Sequence, residues 1–158
     1  MALGSRLELL VILSRCGSLV LAGTAAAILW EANQPFPVNQ LMCGTMSLGG
    51  ILWGLALLMF QFAWLYLEDF EPGNVALLVL IAVDWAVACL TAGSACAALA
   101  ANQYAIQHQY KDCGPAILVC MRYRTAAAMV CAAGALAAVS ALGMLRIHGS
   151  RFAPAQAP

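Results

Sequence analysis

Charge is what this sequence has least of. Asp, Glu, Lys and Arg make up only 9% of its 158 residues, about a third of the share in an ordinary soluble domain. Seven basic side chains balance seven acidic ones, so there is no basic field of the kind that binds nucleic acid, and no bias toward a charged partner. The polarity of a disordered chain is missing as well: 64% of residues are hydrophobic and the mean hydropathy is +0.88. A soluble fold of this size could not bury so much apolar surface and stay in solution with so few charges. What remains is a single-domain integral membrane protein.

Catalytic signatures are lacking too. There is no GxGxxG, no Walker loop, no HExxH and no GxSxG. The two histidines, His108 and His148, fall in polar or terminal segments without a partner to activate a nucleophile. Glu68, Asp69 and Glu71 cluster in one short turn. They read as a solvated helix end, because nothing beside them separates one carboxylate from the others. The expectation is a protein that is no enzyme and carries no cofactor and no metal.

What is present is four long apolar runs, over residues 7–30, 41–67, 75–101 and 125–147. Each is long enough to cross a hydrocarbon core of about 30 Å at about 1.5 Å per residue. Lone strands cannot satisfy their backbone groups in lipid, so the runs read as helices. The predicted fold is all-α, a four-helix transmembrane bundle, with residues 149–158 as a short disordered tail. Arg15 interrupts the first run too early for a standard signal peptide, although TAAA at 24–27 imitates a cleavage site. That run is therefore read as a span. Trp30, Trp64 and Tyr66 stand near run ends, where aromatic belts form.

Only Arg15 and Asp84 are ionisable and deep within a run. Either one alone in hydrocarbon costs about 2.5–3.5 kcal/mol on insertion scales. With four spans, helices one and three point the same way. Both charges then lie roughly 12–14 Å in from the same face, where they can pair if the two helices are neighbours. A structural pair is the favoured reading. A snorkelling Arg15 and a proton or ion relay are the alternatives.

Small residues recur at four-residue spacing: Gly50 with Gly54, then Cys89, Gly93, Ala97 and Ala101, then Gly134 with Ala138. Such stripes let helix backbones approach closely. Packing inside the bundle is the favoured use, and contact between copies is the other.

Seven cysteines are present. Cys16, Cys43, Cys89, Cys96 and Cys131 lie in or beside apolar runs and read as small hydrophobes. Cys113 and Cys120 share the third connection, where a disulfide is expected if that segment faces an oxidising compartment. Zinc is a poor reading, since His108 is the only further ligand nearby. Orientation by charge is balanced: Arg6, Arg146 and Arg151 stand on one side, and Lys111, Arg122 and Arg124 on the other.

An Arg in helix one, an Asp early in helix three and a Cys-x6-Cys segment entering helix four together resemble the Casparian strip membrane domain protein-like family, itself related to the MARVEL tetraspan proteins. The third helix, VDWAVACLTAGSACAALA, and Cys120-Met121-Arg122-Tyr123 carry the likeness. The resemblance implies that Arg15 and Asp84 are the family's intramembrane charges and that Cys113 and Cys120 are its extracellular cysteines. It further implies cytosolic termini, a plasma-membrane location and self-association into a scaffold that organises a membrane domain. EANQPFPVNQ is shorter than the first extracellular loop of members at the Casparian strip, so the wider group is the better fit. The partners expected are membrane lipids and other copies of the chain or other membrane proteins. A supernumerary subunit of a larger membrane complex and a small channel or transporter using Arg15 and Asp84 are the competing functions.

Overall fold

The computed structural model describes residues 2–31, 38–66, 74–108 and 117–152, and these form four α-helices: α1 (Ala2–Glu31), α2 (Val38–Tyr66), α3 (Asn74–His108) and α4 (Ile117–Phe152). No strand occurs among the described residues. Each helix contains a stretch long and apolar enough to span a bilayer: Arg6–Glu31, Leu41–Ala63, Val75–Tyr104 and Cys120–Ile147. The chain is an all-helical membrane bundle.

The helices outrun the apolar runs that announce them. α3 continues to His108, and α4 begins at Ile117, taking in residues expected in the third connection. Polarity marks where hydrocarbon ends, whereas a helix stops only when its backbone is diverted, and nothing from Ile117 to Arg124 breaks one. The expected tail is corrected for the same reason: residues 149–152 are helical, and the first proline beyond them is Pro154. Residues 153–158 lie outside the described set, as do Lys111, Cys113 and the acidic turn with Glu68, Asp69 and Glu71.

Each helix turns one seam inward, and the seams share a rhythm. On α3 the inward residues are Leu77, Ile81, Asp84, Ala88, Thr91, Ala95, Ala98 and Asn102, in alternating steps of four and three. Val11, Arg15, Ala22, Ala25 and Leu29 follow the same steps on α1, as do Cys43, Ser47, Gly54, Leu57 and Gln61 on α2. An average near 3.5 residues keeps one seam facing its partners along the whole length of a bundle. Outside, Leu10, Leu13, Val20, Leu52, Met59 and Leu90 stand exposed, as lipid-facing side chains must.

Neighbouring helices run antiparallel around a ring. α4 packs against α1 and α3, and α2 packs against the same two from the other side. Among the described residues no Cα of α1 comes within 8 Å of one in α3. These two helices are therefore diagonal, which corrects the expectation that they are neighbours. They are parallel, but α2 and α4 stand between them.

Two apolar clusters fill the interior. Val11, Leu77, Ile81 and Met144 form the smaller one. Ala25, Leu29, Cys43, Ala95, Ala98, Tyr123, Ala126, Ala127 and Val130 form the larger one, toward the opposite face. The polar centre lies between them.

Candidate functional site

Arg15 and Asp84 meet across the diagonal. Nη2 of Arg15 donates to Oδ2 of Asp84 at 2.8 Å, and Nη1 donates to Oδ1 at 3.2 Å. Two parallel bonds from a planar guanidinium to a carboxylate make a fork, the geometry that best compensates two buried charges. Both residues are at least 96% buried, with exposures of 3% for Arg15 and 4% for Asp84. The common depth inferred from the sequence recurs here: each residue lies nine positions into its span, counted from Arg6 and from Val75. At about 1.5 Å per residue this is about 13 Å from the edge.

Because α1 and α3 stay apart, it is the length of the Arg15 side chain that bridges the space their backbones leave open. Snorkelling is excluded by the same observation, since the guanidinium is turned inward and held.

Around the fork lies a cavity of about 30 Å³, room for about one water molecule. Ser18, Trp53, Gly54, Thr91 and Gly134 help to line it. An apolar cluster lies on either side of this space, with Val11, Ile81 and Met144 toward one face and Ala25, Ala95 and Val130 toward the other. A smaller cavity of about 10 Å³ runs from Arg15 and Asp84 past Ile81 and Met144.

Interhelical hydrogen bonds that the sequence did not single out tie the bundle together along its length. Ser18 of α1 donates to the Ala133 carbonyl of α4 at 2.9 Å. Ser47 of α2 donates to the Ala22 carbonyl of α1 at 3.0 Å, and Asn102 of α3 to the Cys120 carbonyl of α4 at 3.2 Å. Gln61 of α2 reaches Met144 Sδ of α4 at 3.4 Å. A backbone carbonyl inside a helix keeps a second lone pair free, so the three bonds from Ser18, Ser47 and Asn102 tie two helices each without breaking either one. The signal was available in part: Ser18 sits one turn from Arg15 on the same seam, and Ser47 and Gln61 follow the seam of α2.

The small-residue stripes divide. Gly54 is buried, and a Cβ there would meet Leu19 Cδ2 at 2.9 Å. Gly50 faces α3, where a Cβ would lie 3.5 Å from Thr91 Oγ1. Gly134 lets α4 touch α3, its missing Cβ falling 3.0 Å from the Ala92 nitrogen and 3.3 Å from the Ala88 carbonyl oxygen. Cys89, Gly93 and Ala97 correct the expectation of internal packing: all three are exposed, and nothing lies within 4 Å of a Cβ built on Gly93. Asp84, Ala88, Thr91 and Ala95 take the inner seam and turn the other stripe to the outside.

Cys16, Cys43, Cys89, Cys96 and Cys131 are free thiols. Cys120, in the first turns of α4, is the one described cysteine that is not, and Cys113 lies outside the described residues. Among the described residues no group of three His, Cys, Asp or Glu side chains could hold a metal ion. The chain matches no protein-family model, no curated protein and no solved structure.

Proposed function

We propose that the chain is a non-enzymatic tetraspan scaffold that self-associates in the plane of a membrane and organises a membrane domain. The observation that carries this reading is the closed fork at the bundle centre. Each charge is answered by the other, and both residues are buried, so the arrangement acts as a lock rather than as a polar path. Transport would need such a path. The outward surface of α3, with the small residues Cys89, Gly93 and Ala97 uncovered, offers close backbone approach to a second copy. The resemblance to the Casparian strip membrane domain protein-like family adds the plasma membrane, cytosolic termini and a Cys113–Cys120 disulfide on the outer side to the same proposal.

The native mass in mild detergent, with every associated chain identified, tests it. A homo-oligomer that Gly93→Leu dissociates, while the monomer stays folded, is the expected result. A fixed complex with unrelated chains would instead make the protein a structural subunit. A monomer that conducts ions in liposomes would make it a channel, and either outcome overturns the scaffold.

A further inference from the structure

Cys96 of α3 and Cys131 of α4 face each other with their sulfurs 3.9 Å apart, and both are free. Among the described residues no other two free thiols make contact. Their meeting follows from Gly134. That glycine seats α4 against the backbone of Ala92 and Ala88, and Cys131 and Cys96 lie about one turn beyond this crossing on their respective helices. Cys96 is exposed on the outer surface and Cys131 half-buried behind it. Cys96 lies eight residues from the Tyr104 end of its span, and Cys131 eleven from the Cys120 end, so both sit about 12–16 Å deep, at the level of lipid acyl chains.

The geometry points to a redox modification site: Cys96 and Cys131 form an intramembrane dithiol that reduces a lipid hydroperoxide and closes to a disulfide between α3 and α4. The pair is suited to this substrate because the hydroperoxide forms on acyl chains at this depth, and in the unassociated chain Cys96 is exposed to them, beside the Gly93 surface proposed above to meet a second copy. The Cys96 sulfur attacks the terminal peroxide oxygen, and the O–O bond breaks. The thiol proton goes to the departing alkoxide, giving an alcohol and leaving Cys96 as a sulfenic acid. The Cys131 sulfur then attacks the sulfenic sulfur, the S–O bond breaks, and hydroxide leaves with the Cys131 proton as water. Two thiols lose two electrons to one peroxide, so the exchange balances. Closing the bond brings the sulfurs from 3.9 Å to about 2.05 Å.

The full chain in vesicles containing linoleoyl hydroperoxide provides the test, followed by denaturation with excess maleimide, digestion and mass spectrometry. The expected result is loss of two alkylatable thiols, those of Cys96 and Cys131, a cross-linked Cys96–Cys131 peptide, and reversal by a thiol reductant. In Cys131→Ser the resolving thiol is gone, and Cys96 should advance to sulfinic acid. Cys89, exposed on the same helix without a sulfur partner, should form no internal cross-link. Cys96 driven straight to sulfinic acid in the native chain, cross-links only between copies, or an unreacted pair would each overturn the proposal.

Discussion

α2 and α4 flank the same charged pair from opposite sides, yet they are held in different ways. α4 lies against α1 and α3 through Ala126, Ala127, Ala133, Gly134 and Ala141, small residues that bring backbone against backbone. α2 turns inward longer side chains such as Leu57 and Gln61, the latter reaching Met144 of α4. Where it passes α3 it leaves an open groove of about 420 Å³ bordered by Met46, Gly50, Trp53, Val87 and Thr91. The most apolar stretch of α4 is 33% buried and that of α2 only 22%. Inside a membrane, apolar character drives no helix toward another, so closeness has to come from small side chains and polar ties. α4 has many of the first and shares in three of the interhelical polar ties described above, whereas α2 shares in two.

The sharpest way to break this comparison is to remove what both helices surround. Arg15→Leu leaves Asp84 buried and unanswered, and Asp84→Asn does the same to Arg15. Each should destabilise the bundle by about 3–5 kcal/mol, as losing one partner of a buried pair does. The loss would be read as a fall in monodisperse protein recovered from the membrane. Arg15→Leu with Asp84→Leu should recover part of that yield, because no lone charge remains. If either single variant accumulated like the native chain, the pair would not be structural.

A smaller effect should mark the close side. Gly134→Ala drives a methyl group into the backbone of Ala92 and Ala88, which cannot move aside. A loss of about 1–3 kcal/mol is expected, visible as a lower thermal midpoint in detergent. The looser side should give the smallest change. Gly54→Ala meets only the end of the Leu19 side chain, and a rotamer shift costing about 0.5–1.5 kcal/mol relieves it. Equal losses at Gly134 and Gly54 would erase the distinction between the two helices.

Much of this was legible beforehand, and the reasons differ by feature. Segregated charges exposed the four spans, and equal depth singled out Arg15 and Asp84. Their diagonal placement was not legible, because depth gives height along the bundle and says nothing about position around it. The facing of α3 was hidden for a related reason. A water-soluble helix is polar on its outer side, but here both Ala95 inside and Ala97 outside are alanine. Small residues mark close approach without saying to what. The Cys96–Cys131 contact depends on how α4 is rotated against α3, which no spacing within one helix records.

The fork also has a consequence for how the chain is made. Arg15 and Asp84 are separated by 69 residues, so α1 must enter the bilayer well before its counter-charge has been synthesised. Until α3 arrives, Arg15 has only water, headgroups or the insertion machinery to hold it. Once both are in place, a vertical slip of either helix by one turn, about 5.4 Å, would pull the two bonds apart. The pair thus works as a gauge of insertion: it closes only when the first and third spans have reached the same height.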